Sequence, residues 1–135
     1  DVYSYRGVMF GKMGQQDDAI ADFDRAIQLR ANDAVTYNNR GIAYKQKGDF
    51  HRALQDLNNA IQLSPNFAEA YSNRGHVYIE LGKFQEAVAE CDWAIKFKHD
   101  YALAYYNRGT AHQKLGNHKQ AESDFSAARQ LGYQV

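Results

Sequence analysis

Four arginines and four acidic residues recur at one fixed spacing along the chain, which indicates ion pairing. The arginines are Arg6, Arg40, Arg74 and Arg108, each 34 residues from the next. Matching acids stand at one constant offset from them: Asp22, Asp56, Glu90 and Asp124. A carboxylate accepts the planar guanidinium fork bidentately, and an unpaired buried charge is strongly destabilising. We therefore predict that each arginine pairs with an acid of its own or an adjacent repeat. The alternative is an arginine row that grips an acidic ligand.

A row of amide side chains follows the same register. It consists of Asn39, Asn73 and Asn107, with Tyr5 at the corresponding place near the start. An asparagine amide both donates and accepts hydrogen bonds. One asparagine per repeat would be able to bind the backbone of an extended peptide. The alternative is a structural role, in which these amides bond to nearby backbone groups.

Residues typical of catalytic or metal sites are sparse. The 5 histidines are scattered, and no two lie three or four residues apart, as two ligands on one helix would. Cys91 is the one cysteine, and its register places it in an apolar column with Phe23, Leu57 and Phe125, so we expect it to be a buried small hydrophobe. No phosphate-binding glycine loop is present. We predict no enzymatic activity, no metal site and no cofactor.

Composition narrows the class of partner. The chain has 135 residues with 16 basic and 16 acidic side chains, so its formal net charge is zero. The chain therefore has no net positive charge that would attract nucleic acid or an anionic membrane. No apolar stretch is long enough to span a bilayer. A single cysteine weakly favours the cytoplasm, although the compartment stays open. The abrupt start at Asp1 leaves open that further repeats or domains precede it in a parent protein.

The helices and turns that position these residues can be predicted from glycines that recur at the same place in every repeat. Of 10 glycines, eight fall in two columns at the 34-residue period: Gly7, Gly41, Gly75, Gly109 and Gly14, Gly48, Gly82, Gly116. The second column separates two apolar-periodic stretches, where glycine suits the left-handed position that ends a helix. The first column lies inside a helical stretch, where glycine costs about 1 kcal/mol relative to alanine. We therefore expect a close helix–helix approach there, within pairs of short helices joined by tight turns.

A period of 34 residues with an aromatic, glycine, aromatic, alanine, large apolar, alanine and proline pattern resembles the tetratricopeptide repeat. The second unit carries it best, through Tyr37, Gly41, Tyr44, Ala53, Leu57, Ala60 and Pro65. The resemblance implies an all-α fold, a right-handed α-α superhelix (solenoid) of four helix-turn-helix repeats. Their approximate bounds are 1–33, 34–67, 68–101 and 102–135, in a single array over 1–135. The polar Glu122 and Arg129 in the last unit suit an end repeat.

The resemblance also implies a function, that of a scaffold or adaptor whose concave groove binds a peptide or partner protein. In this family the first helix of each repeat faces that groove, which gives the expected contacts Asn39, Asn73, Asn107, Asn38, Ile42, His76, Tyr106, Gln46 and Lys114. Trp93 is a further candidate, either as an exposed interface anchor or packed on a neighbouring unit. Glu69, Leu103 and Asn107 stand where members that bind chaperone C-termini carry basic residues, so that specificity is not expected. The alternatives are self-association into homo-oligomers through the array ends, and a substrate-recruiting arm of a larger enzyme.

Overall fold

The chain folds into short α-helices separated by tight turns. The structure is a computed structural model that describes residues 1–134. Within that range lie eight helices and no strands, so the predicted all-α class is confirmed. Their bounds are α1 Val2–Lys12, α2 Gln16–Leu29, α3 Ala34–Gln46, α4 Phe50–Leu63, α5 Ala68–Glu80, α6 Phe84–Phe97, α7 Ala102–Lys114 and α8 His118–Gln130. Over residues 1–134, no helix has both the length and the apolar character needed to cross a bilayer.

The turn inside each hairpin depends on glycine. Gly14, Gly48, Gly82 and Gly116 have φ angles of 77°, 81°, 75° and 81°, in the left-handed region that side chains disfavour. The residue after each glycine donates its N–H back into the preceding helix, as Gln15 does to the Phe10 carbonyl at 2.9 Å. The predicted helix ends are therefore confirmed, and each turn brings the next helix back along the previous one.

Close helix approach explains the other glycine column. A Cβ built on Gly7 would lie 2.6 Å from the Phe23 ring, and one on Gly109 would lie 2.8 Å from the Phe125 ring. At Gly41 the nearest atoms belong to Leu57, at 3.1 Å. No side chain fits at such distances without displacement, so the predicted contact between the paired helices is confirmed.

The first of two compact units runs from Asp1 to Pro65 and contains α1 to α4. Helices α1 and α2 form one hairpin, α3 and α4 form the next, and both α1 and α2 contact α3. A hydroxyl contact of 2.9 Å between Ser4 Oγ and Thr36 Oγ1 joins the first helices of the two hairpins. The core of this unit includes Phe23 and Leu57.

The second unit starts at Asn66 and contains α5 to α8. It repeats the arrangement, with α5 paired to α6, α7 paired to α8, and α7 in contact with both α5 and α6. Cys91 is buried in its core, as expected, and burial raises the pKa of the thiol to about 12. A single array over residues 1–135 stays a prediction, and Val135 lies outside the described residues.

Candidate functional site

The arginine column of the first unit is engaged in ion pairs. Arg6 donates through Nε and Nη2 to the two oxygens of Asp22, at 2.7 and 2.8 Å. Arg40 makes the same two-bond contact with Asp56, at 2.8 Å for both bonds. Its remaining Nη1 reaches Asp24 on the preceding hairpin at 2.7 Å. Each pair therefore locks the two helices of a hairpin, and Arg40 also ties one hairpin to the other.

The second unit repeats this arrangement. Arg74 pairs with Glu90, and Arg108 donates to both oxygens of Asp124 at 2.9 and 2.8 Å. Arg108 Nη1 also bonds to Asp92 of the preceding hairpin at 2.9 Å. All four arginines thus have the partner that the spacing predicts, and the structural interpretation of the column is confirmed. Carboxylates of the chain already accept two bonds from Arg6 and three each from Arg40 and Arg108.

Electrostatics keep these pairs ionised. The hydrogen bond from Arg6, opposed by burial, holds the pKa of the Asp22 carboxyl below its ordinary value. The hydrogen bond to Asp56 likewise raises the pKa of the Arg40 guanidinium above its ordinary value. The guanidinium carbon of Arg40 also lies 5.7 Å from the centroid of Tyr37 and 5.9 Å from that of Tyr44, where the ring faces stabilise a cation.

A cleft in the first unit is a candidate binding site. Its volume is about 200 Å³, and it opens between α1 and α3, with the start of α2 at one side. Its apolar surface comes from Val8, Phe23, Ile42 and Ala43. The other lining residues are Gly7, Gly11, Lys12, Gln16, Asn39 and Gln46. The site therefore combines apolar walls with three amides and a single charged side chain.

Two of those amides are joined across the cleft. Gln16 Nε2 donates to Gln46 Oε1 at 2.5 Å and to the Gly11 carbonyl at 3.3 Å. Both amide hydrogens of Gln16 are therefore used. Its Oε1 is buried and accepts no hydrogen bond from any residue in the described part of the chain. Buried acceptors without a donor are rare in folded proteins and indicate strain, function or a missing partner.

The predicted asparagine row divides into one accessible and two buried members. Asn39 is half-buried and lines the cleft, together with the predicted Ile42 and Gln46. Asn73 and Asn107 are only 8% and 5% exposed, and Asn38 is 5% exposed. Asn107 Nδ2 donates to Ser72 Oγ at 3.1 Å, which ties α7 to α5. This amide bonds to a side chain of another helix and not to the nearby backbone that the structural alternative named, and a partner contact by the three buried asparagines stays a prediction.

The other predicted contacts belong to the second unit. His76 Nε2 lies 3.5 Å from Glu80 Oε1, one helical turn along α5. Tyr106 packs against Tyr133 and Phe125, with ring centroids 4.6 and 5.6 Å apart. Lys114 is exposed in the last turn of α7. The cleft of the first unit includes none of these three residues.

Trp93 is both packed and accessible. Its ring stacks on Phe97 at 5.9 Å and on Tyr71 at 6.3 Å, and Lys96 Nζ lies 4.8 Å from its centroid. It nevertheless keeps 45% of its surface exposed. These ring contacts belong to its own hairpin, Tyr71 on α5 and Phe97 on α6, and not to a neighbouring unit. The exposed part of the ring is available to a partner, and the role of Trp93 as an interface anchor stays a prediction.

Sequence reasoning missed the part of the cleft that the first hairpin contributes. Val8 and Lys12 occupy the same register positions as Ile42 and Gln46, so extending the columns back by 34 residues identifies them. Gly11 belongs to neither glycine column, and that irregularity was a visible signal. Nothing in the sequence singles out Gln16, because its place in the cleft depends on its hydrogen bond with Gln46 on another helix.

Comparison with solved structures places the fold among known helical repeat proteins. The crystal structure of MamA is 26% identical, with a TM-score of 0.84, over 96% of this chain and 75% of that one. The first TPR of Spaghetti (RPAP3), bound to the HSP90 peptide SRMEEVD, is 26% identical with a TM-score of 0.81, over 85% and 91%. A thermophilic TPR protein of Thermus thermophilus is 20% identical with a TM-score of 0.90, over 96% and 73%. No curated protein matches the chain.

The family model for the TPR repeat matches three overlapping stretches, residues 7–48, 43–82 and 75–116. Together they cover most of the chain, and its eight described helices accommodate about four such repeats. The stretches that the family model matches and the folds of the similar solved structures both agree with the hairpins described above. The predicted fold of stacked helical hairpins is thus confirmed, and the chain belongs to the TPR repeat family.

Proposed function

We propose that the chain consists of four TPR repeats and acts as a protein-interaction domain, without catalytic activity, that binds an extended peptide or a partner protein. The observation that carries this proposal is the cleft between α1 and α3, with apolar walls and three amide side chains at its edge. Apolar walls supply the affinity, and amides orient a polypeptide backbone, which alternates donors and acceptors. The peptide-bound Spaghetti domain supports a peptide as the type of partner.

The size of the cleft favours part of a larger partner over a free metabolite. Pockets for small molecules enclose roughly 300–1,000 Å³, whereas this cleft encloses about 200 Å³. Such a volume suits one side chain of a polypeptide. Lys12 is the single charged residue in its lining, so the site is not built for a strongly acidic segment.

The remaining predicted residues are proposed as further contacts, each within its own unit. Asn38, Asn73 and Asn107 are buried, and Asn107 acts by joining α7 to α5, whereas His76, Tyr106 and Lys114 offer contacts on the second unit. Trp93 is the best anchor outside the cleft, because aromatic residues dominate interface hot spots. The balanced charge of the chain gives no support to nucleic acid or a membrane as a partner.

Replacing the two amides of α3 tests this function. Selection of a displayed random peptide library on the immobilised wild-type chain is expected to enrich binders. Their affinity, measured by fluorescence anisotropy, is expected to fall about tenfold for Asn39→Ala/Gln46→Ala, because two hydrogen bonds contribute roughly 0.5–1.5 kcal/mol each.

The matched control is Gln62→Ala/Gln130→Ala, which removes two exposed amides that are not part of the cleft lining and should bind like the wild type. Helicity of both variants is checked by circular dichroism. If no peptide is enriched, or if every enriched peptide binds both double variants equally, the cleft is not the binding site.

Self-association is a second candidate function, and the exposed face of α1 favours it. Val2, Tyr5, Met9 and Met13 recur at helical spacing and are 75%, 72%, 41% and 59% exposed. On α3 the residues in register with Val2 and Met9 are Thr36 and Ala43, and both are buried. The α1 face is therefore an apolar surface that a second copy would be able to cover.

Charges on that face test self-association. Met9→Lys/Met13→Lys is expected to turn a concentration-dependent sedimentation coefficient into that of a monomer, because burying two lysines against an apolar surface is unfavourable. Leu63→Lys/Leu131→Lys, at two exposed leucines outside this face, is the control for the same change in total charge and apolar content. A wild-type chain that sediments as a monomer at every concentration contradicts this second function.

A further inference from the structure

Gly11 lies in the last turn of α1, which ends at Lys12, without the packing reason that the other helical glycines have. Glycine within a helix is unfavourable relative to alanine. At Gly7 an added Cβ would lie 2.6 Å from the Phe23 ring, so glycine is required for packing. At Gly11 the sole neighbour within 4 Å would be Gln16 Oε1, at 3.7 Å, an ordinary contact distance. Helix packing therefore does not explain this glycine.

The cleft provides the missing reason. Gly11 is part of its lining, and the corresponding places in the other hairpins carry Lys45, Ile79 and Gln113. A side chain of that size on α1 would stand in the space between α1 and α3. Glycine keeps this space open and exposes the α1 backbone to whatever enters the cleft.

The unsatisfied oxygen of Gln16 specifies the polarity of the occupant. Gln16 Oε1 adjoins Gly11, and within residues 1–134 no donor reaches it. Because this oxygen is buried, an entering N–H reaches it only when the terminal amide of Gln16 rotates and gives up a bond that its Nε2 makes to Gln46 or Gly11. A carboxylate carries acceptors and no donor, so it cannot bond to Gln16 Oε1, and Lys12 is the single lining residue that would attract it.

We infer that the cleft beside Gly11 takes an uncharged aliphatic side chain of an extended peptide, whose neighbouring backbone N–H donates to Gln16 Oε1. The aliphatic group contacts Val8 and Ile42 and fills the space that the missing Gly11 side chain leaves. Gly11 and Gln16 are then the specificity-determining residues. This inference rests on the proposed function, since it names the peptide chemistry of the same cleft.

Blocking the space tests the role of Gly11. Gly11→Leu is expected to weaken the enriched library peptides at least tenfold, while the melting temperature stays the same or rises. Met9→Leu is the matched control, because it places leucine on the exposed face of the same helix and should leave binding unchanged. Gly11→Ala is expected to give an intermediate loss.

Small probes test the chemistry of the occupant on the unaltered chain. In a ¹H–¹⁵N titration, N-acetyl-leucine N′-methylamide is expected to shift resonances of Val8, Gly11, Gln16 and Ile42. Two control probes are expected to shift these resonances at least fivefold less at equal concentration. One is the matched aspartate derivative, and the other is a leucine derivative in which methyl groups replace both amide N–H hydrogens.

The outcomes separate this inference from the function on which it rests. Peptides that depend on Asn39 and Gln46 but tolerate Gly11→Leu would overturn the inference and leave peptide binding intact. An aspartate probe that shifts the cleft resonances as much as the leucine probe would overturn it as well. A library that yields no cleft-dependent peptide would remove the proposed function, whatever the probes show.

Discussion

Asp56→Ala is expected to lower the free energy of unfolding by about 3 kcal/mol. Asp56 is buried and accepts two hydrogen bonds from Arg40, which is itself 20% exposed at its side chain. Removing one partner of a buried ion pair leaves the other charge uncompensated, which costs about 3–5 kcal/mol. We expect a loss at the lower end of this energy range because Arg40 keeps its bond to Asp24 and some contact with water. Urea unfolding followed by circular dichroism measures the change.

Asp24→Ala is the matched control, because it removes the other carboxylate that Arg40 contacts. Its side chain is 48% exposed, so the expected loss is below about 1 kcal/mol. The double variant Arg40→Leu/Asp56→Ala should recover part of the loss of Asp56→Ala, since it leaves no buried charge unpaired. Equal losses for Asp24→Ala and Asp56→Ala would show that the buried pair does not hold the hairpin together.

Leu57→Ala is expected to cost about 2–5 kcal/mol, the range for deleting a fully buried leucine. Leu57 is completely inaccessible to solvent, and its side chain lies 3.1 Å from the position that a Cβ on Gly41 would take. The loss combines the transfer of apolar atoms out of the core with a cavity between α3 and α4. The urea midpoint measures this loss, and Leu63→Ala, at an exposed leucine of the same helix, is the control.

A double-mutant cycle with Gly41→Ala then tests the close approach of the two helices. In the wild-type background the added methyl group is expected to lower the free energy of unfolding by about 1–3 kcal/mol through overpacking. The higher helix propensity of alanine offsets part of this loss. In the Leu57→Ala background the same methyl group enters the vacated space, so its cost should vanish or change sign. Strictly additive losses would mean that residues 41 and 57 do not share this space.

Much of the fold could be predicted from the residues because the 34-residue period places equivalent side chains in equivalent surroundings. A glycine after an apolar-periodic stretch has few alternatives to ending a helix, and Gly14 and Gly48 do so with positive φ. The arginine and acid columns were equally informative, since a charge near a core requires a countercharge. Arg40 and Arg108 each have the acid that the spacing assigned to them.

The candidate site was less predictable, because accessibility depends on which helices cover a position and not on its register. Asn39 and Asn107 are equivalent in the sequence, yet Asn39 lines a cleft whereas Asn107 is buried against Ser72. The contact between Gln16 and Gln46 likewise joins residues whose types and spacing carry no signal. Local physical rules set the helices and their ion pairs, whereas the cleft arises from how two hairpins of different side-chain size pack together, since packing is a property of all the neighbours at once.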